Sequence, residues 1–188
     1  MKIVLVRHAQ TNVQPEINST LWTLSEDGRR AAAKLAGNAI FDGSECIYSS
    51  LQPKAIETAG ILGAALHTPV LQEAGLTELS SVTSGFIDDY AGTVHRLYAG
   101  EIQNINGGET LEQATNRFNH TVGAIATKHA GADKIVIVSH ANVLSLFTAQ
   151  YCDKEAIDLH NAIAMPDVAV LDWNDSNSTF DQLWGQAI

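Results

Sequence analysis

The sequence predicts an α/β protein, a three-layer α/β/α sandwich around a mostly parallel central sheet. Three observations carry that prediction. Strand-like and helix-like segments alternate along the chain. The central strand segments, "KIVLV" and "KIVIV", are apolar without alternation, as strands buried on both faces are. The 188 residues, 45% hydrophobic and 17% charged, contain no repeat, low-complexity tract or linker, so one domain spanning 1–188 is expected.

The elements follow in order. "KIVLV" (2–6) is short and rich in β-branched residues, which suits a buried strand. A polar loop runs from Gln10 to Thr23. In "LSEDGRRAAAKLAGNAI" Ser25 stands where an N-cap belongs, and Glu26 and Asp27 lie where the helix dipole favours acids. Ala32, Leu35, Ala36 and Ile40 give that helix its apolar face. "ECIYSS" (45–50) reads as a second strand, and "PKAIETAGILGAAL" (53–66) as a second helix with Pro53 in its first turn. An extended segment, 68–76, contains a third strand.

The pattern weakens over 80–108, where at most the middle is helical. Such a stretch inside a compact domain is expected to be a lid or specificity segment. Phe86, Tyr90, His95 and Tyr98 lie in it as candidates to line a pocket, and the simpler expectation is that they pack it against the body. The helix "ETLEQATNRFNHTVGAIATKHAG" (109–131) has Leu111, Ala114, Phe118, Val122, Ile125 and Ala126 at helical spacing. "KIVIVSH" (134–140) is the strongest strand. "ANVLSLFTAQYC" continues as a helix and "VAVLDW" (168–173) as a strand, with a further strand or short helix in the tail.

The formal net charge is -10, which repels nucleic acid and anionic lipid, so neither is an expected partner. No stretch approaches the roughly 18 apolar residues of a membrane span. "IVLV" is too short for a signal-peptide core, and Arg7-His8 interrupts it. A cytoplasmic chain is therefore expected, with Cys46 and Cys152 as reduced thiols. Whether it is a monomer or a homodimer is open. Trp173 and Trp184 suit either a dimer interface or the core.

Chemistry enters at two strand ends. In an open α/β sheet, ligands bind beyond the carboxyl ends of the strands. "IVLV" ends in Arg7-His8, and "IVIV" ends in Ser139-His140. If these strands are neighbours, both imidazoles emerge together. Metal ligation is a rival reading, but an adjacent arginine repels a divalent cation and no acid lies at ligand spacing. A cationic pocket calls for an anion, and phosphate fits best. Lys54, in the first turn of the second helix, adds charge where backbone N–H groups also favour an anion.

These segments resemble, in order, the motifs of the histidine phosphatase superfamily, the phosphoglycerate-mutase-like proteins. "VRHAQT" is similar to the family's RHG-x-T signature. "LSEDGRRAAAKLA", "IYSSLQPKAIETA", "LTEL", "GGETLEQATNRF" and "IVIVSHANV" resemble its later motifs.

The resemblance implies a histidine-acid-phosphatase-like phosphohydrolase acting on a small-molecule phosphate monoester, with no metal or other cofactor. It implies His8 as nucleophile, with Arg7, Lys54 and His140 as the phosphate cradle. It implies Glu78 as proton donor, expected to be partly buried near other carboxylates or apolar walls, with Glu73, Asp88 and Asp89 as fallback acids. The family's usual glycine is Ala9 here, its second arginine is Lys54, and its "HGG" reads His140-Ala141-Asn142. Gln14 stands for an asparagine that follows the first motif and is expected to donate to phosphate. A phosphoglycerate-mutase-type phosphotransferase and a catalytically weak phosphate-ester-binding protein are the alternatives.

Overall fold

The computed structural model describes residues 1–81, 86–174 and 177–186. Its strands are β1 (Lys2–Arg7), β2 (Ile47–Ser49), β3 (Val70–Gln72), β4 (Lys134–Ser139), β5 (Asp167–Asp172) and β6 (Thr179–Gln182). Its α-helices are α1 (Glu26–Ala36), α2 (Pro53–Leu66), α3 (Tyr90–Tyr98), α4 (Leu111–Lys128), α5 (Ala141–Thr148) and α6 (Ala156–Ala162). One sheet runs in the order β3-β2-β4-β1-β5-β6. Its first four strands are mutually parallel, and β5 and β6 pair antiparallel at the other side.

The four inner strands β2, β4, β1 and β5 are buried on both faces, and their alternation explains how two helical layers fit them. Ile3, Leu5, Ile135, Ile137, Ala169 and Leu171 share one core with Phe118 and Val122 of α4 and Leu144 and Phe147 of α5. Val4, Val6, Val136, Val138, Val168 and Val170 share the other with Leu35 of α1 and Ala55, Ala59 and Leu62 of α2. Larger isoleucine and leucine side chains meet the aromatic helices. Compact valines meet the alanine-lined helix, so each layer packs closely.

Local chemistry sets the ends. The Ser25 side chain accepts from the Gly28 N–H, as its N-cap position predicts. Thr110 and Gln113 form a reciprocal capping box that starts α4 two residues inside the expected segment. That helix stops at Lys128, before the expected end at 131, with His129 as its cap. Gly28 sits against the loop before it. A β-carbon there would collide with the Gln10 carbonyl oxygen, so the start of α1 and the start of the polar loop are pressed together.

One expectation needed adjustment, one element was missed and two expectations held. The helix predicted to reach Ile40 stops at Ala36, and Ala39–Phe41 form a separate 3-10 turn. The tail adds a strand, β6, and α6 was not anticipated at all. The middle of 80–108 is helical, as α3, while positions 82–85 of that segment lie outside the described residues. Trp184 is buried and donates to the Thr148 hydroxyl at 3.0 Å, and Trp173 stacks on Phe147, so both belong to the packing of this chain. Cys46 and Cys152 are free thiols. No helix among the described residues is long and apolar enough to cross a membrane.

Candidate active site

Strands β1 and β4 are adjacent and parallel, with Lys2 beside Lys134 and Arg7 beside Ser139. Each chain then advances one residue, to His8 and to His140. Equal register therefore delivers both imidazoles to the same carboxyl edge. Their ring centroids lie 5.1 Å apart with a 57° tilt, and both rings are buried.

His8 is held in one tautomer. Its Nδ1 lies 2.8 Å from the Ala9 carbonyl oxygen. A carbonyl only accepts, so Nδ1 carries the hydrogen and Nε2 keeps its lone pair. The backbone around it is fixed as well: His8 N–H donates to Ser139 O at 3.0 Å, and Ala9 N–H to Thr58 Oγ1 at 3.1 Å. Burial, then the charges of Lys54 and Arg7, pull the His8 pKa down to about 3, against the smaller opposing effect of the Ala9 bond. The imidazole is therefore neutral at physiological pH. His140 is likewise pushed well below its ordinary value, by burial first and then by His8, Lys54 and Arg7. Its Nε2 shares a 2.6 Å hydrogen bond with Ser50 Oγ, and its Nδ1 is buried without a partner.

Two cations face the pair. The Arg7 guanidinium donates through Nη1 to the carbonyls of Ile163 at 2.7 Å and Ala164 at 3.4 Å, while its Nε is buried and unpartnered. Asp167 shapes that turn by accepting from the N–H groups of Ala164, Val168 and Gly185. Lys54 is buried rather than solvated. Its Nζ donates to the Ser19 carbonyl at 3.0 Å and lies 6.0 Å from the centre of the Trp22 ring. Burial lowers its pKa to about 8, with Glu78 opposing and Arg7 adding.

Glu78 reaches the same region, but its neighbours are not the expected carboxylates or apolar walls. Its Oε2 accepts from the N–H and the side-chain amide of Asn142, both at 3.1 Å. Its Oε1 accepts from Leu79 N–H at 3.0 Å and Val143 N–H at 3.3 Å. The carboxylate is thus docked on the first turn of α5, where unpaired N–H groups attract an anion. Because α5 begins directly after His140, the same strand end supplies one imidazole and the seat for the acid.

Residues of the 80–108 segment and of the later motifs complete the frame. Asn142 Nδ2 also donates to the Tyr90 hydroxyl at 2.9 Å, and Asn142 Oδ1 is buried without a partner. The Tyr98 hydroxyl bonds Ser145 Oγ at 2.9 Å. Burial raises the pKa of both tyrosines, so both hydroxyls stay protonated. Arg117 grips Glu109 with two bonds, at 2.8 and 2.6 Å, and donates to the carbonyls of Gly75, Thr77 and Glu78. It therefore ties α4 to the segment that carries Glu78. The sequence signal for this was "GGETLEQATNRF", whose acid and base stand eight positions apart.

Other candidates lie elsewhere. Glu73 caps the Ala74–Leu76 turn and Asp89 caps α3, so both lie outside the cluster of His8 and His140. The Gln14 carbonyl accepts from the Trp22 indole at 3.0 Å, but its side chain makes no hydrogen bond among the described residues. Tyr90 and Tyr98 turn their hydroxyls toward Asn142 and Ser145, Phe86 meets Trp22, and His95 stays exposed, so the 80–108 aromatics divide between site and surface. Among the described residues, the one group of metal-capable side chains is Glu45, Cys46 and His129, and it lies at the amino ends of β2 and β4, opposite the pocket.

What the geometry offers chemically is a neutral imidazole with a free lone pair, two cations and a second buried ring around one point. The arrangement suits an anionic electrophile.

Known proteins are similar to this chain in sequence or in fold. Phosphoserine phosphatase 1 of Hydrogenobacter thermophilus is 27% identical over 172 residues, covering 85% of this chain and 78% of that protein. Phosphoglycerate mutase-like protein 4 of Arabidopsis thaliana is 26% identical over 156 residues, covering 76% and 67%. The crystal structure of the alpha-ribazole phosphatase from Shigella flexneri superposes with a TM-score of 0.79 at 19% identity, over 100% of this chain and 98% of that one. The family pattern for the histidine phosphatase superfamily (branch 1) matches residues 3–184, and with its strands, imidazoles and cations in that order the chain belongs to this superfamily.

Proposed function

We propose that this chain is a metal-independent phosphomonoester hydrolase of small phosphorylated metabolites that works through a phosphohistidine. The observation that carries the reading is the 2.8 Å bond from His8 Nδ1 to the Ala9 carbonyl, which leaves Nε2 as a lone-pair donor beside Arg7 and Lys54.

In this reading His8 Nε2 attacks phosphorus, a P–N bond forms and the P–O bond to the alcohol breaks. Arg7, Lys54 and the His140 ring stabilise the charge spread over the three equatorial oxygens. Positive side chains thus supply what a metal would supply elsewhere. Glu78, whose carboxylate must first take up a proton, gives that proton to the leaving oxygen. A water then attacks the phosphohistidine, the P–N bond breaks, and Glu78 takes the water's proton as phosphate departs. Within the 1–188 domain, specificity resides in the 80–108 segment, whose Tyr90 hydroxyl meets Asn142 beside Glu78. The relative named as a phosphatase supports hydrolysis, and the one named as phosphoglycerate-mutase-like keeps phosphotransfer as the alternative. A cytoplasmic setting, with a single small phosphate ester as partner, fits the acidic composition.

The test is trapping of the enzyme with a phosphate ester by an alkaline quench, in which a P–N bond survives, followed by 31P spectroscopy and phosphate release. Wild type is expected to form a phosphohistidine and to release phosphate. H8A is expected to lose at least about a thousandfold in rate. Turnover by H8A at the wild-type rate would refute the reading. Transfer between hydroxyls of a sugar acid without phosphate release would replace it with the mutase alternative.

A further inference from the structure

Large apolar side chains normally leave the surface, and those that stay in one place mark what docks there. Here Ile17 is 41% exposed, Leu21 60%, Leu51 48%, Phe86 44% and Tyr90 44%. They come from three separate segments of the chain, yet each is tied to the pocket. Leu21 ends the Ser19–Leu21 turn, whose Ser19 carbonyl holds Lys54. The Ile17 carbonyl accepts from the Trp22 indole, and that indole lies beside Lys54. Phe86 meets Trp22 across the mouth, with ring centroids 6.3 Å apart. Leu51 follows Ser50, the partner of His140. Tyr90 reaches Asn142, which holds Glu78.

The charge around this rim is equally one-sided. The cations that act on His140 are Lys54, Arg7 and Arg117, and Arg117 is already closed on Glu109. Arg29 is bonded to Glu57, and Arg30 to Glu26 and Asp27. Asp88 and Asp89 stand between Phe86 and Tyr90, and Glu16 stands beside Ile17. One phosphate therefore finds its counter-charge, whereas a second anionic group meets apolar surface and acids.

We propose that the pocket of this hydrolase selects phosphomonoesters whose alcohol is apolar and uncharged, and that Leu21, Trp22 and Phe86 form the binding surface for that alcohol. The inference rests on the hydrolase reading and deepens it. The apolar rim would be covered by the substrate's own carbon skeleton, and the single cationic centre would be filled by its one phosphate.

Hexyl phosphate, glycerol 3-phosphate and 3-phosphoglycerate share an alkoxide leaving group and differ in what it carries. The expected order of kcat/KM is hexyl phosphate first, by about tenfold or more over glycerol phosphate, and 3-phosphoglycerate last. The double variant L21S/F86S is expected to shrink the hexyl-to-glycerol ratio about tenfold, a ratio that intrinsic ester reactivity cannot move. A preference for 3-phosphoglycerate, or a ratio unchanged in the variant, overturns the proposal. If no ester is hydrolysed, the hydrolase reading falls and calorimetry decides the rim separately. Tighter binding of hexyl phosphate than of glycerol phosphate then supports it, and equal binding overturns it.

Discussion

Lys54 stands where the resemblance implies an arginine, and its surroundings give that difference a measurable consequence. Burial holds its amine at about 8, below the ordinary value of 10.5. The amine is charged below that pH and neutral above it. Phosphate affinity is therefore expected to fall as pH rises through about 8, with KM climbing by up to about tenfold per pH unit. K54R keeps its proton throughout that range and is expected to give a flat profile. Identical KM profiles for the two proteins would show that Lys54 does not contact phosphate. The sequence alone read this lysine correctly as part of the second helix's first turn. It could not show burial, because Ser19 and Trp22, which cover the amine, come from a loop some thirty positions earlier.

Between elements, the decisive tie is Arg117, through which α4 fixes the segment that carries Glu78. Its guanidinium satisfies three backbone carbonyls as well as Glu109. R117M removes all of these donors at once and leaves half-buried acceptors behind, at an expected cost of about 2–4 kcal/mol in folding stability. Its effect on turnover should depend on the leaving group. A p-nitrophenyl ester departs with little need of a proton, whereas an alkyl ester needs the acid in place. R117M is thus expected to lower kcat for hexyl phosphate at least about tenfold more than kcat for p-nitrophenyl phosphate. Equal losses on both esters would assign Arg117 a purely structural role. The helices and parallel strands around this tie were legible because their periodicity is local. The α6 helix was not: it has seven residues, one of them buried, and no side-chain cap to announce it. The seat of Glu78 on α5 was invisible for a different reason, since a helix start attracts whichever acid the fold brings to it.

At the scale of the whole molecule, three histidines are folded away in neutral form. His8, His140 and His160 all lie below the ordinary value of 6.5, in each case because burial disfavours the charged ring. Below about pH 6.5 the unfolded chain takes up protons that the folded chain refuses. Stability is therefore present in full above that pH and is lost as pH falls toward the folded values, for His8 at about 1.4 kcal/mol per pH unit down to about 3. Denaturant midpoints are expected to drop as pH falls from 6.5 toward about 3. H8N should remove one proton's share of that slope, and an unchanged slope would show that His8 titrates normally in the folded protein.

The side-by-side register of β1 and β4 carries a last implication. Side chains alternate faces along a strand, so one residue gained or lost in either strand would turn its terminal ring to the far side of the sheet. The two strands are bound to a common length, and descendants of this chain that adopt new esters must do so by rewriting the loops around the pocket.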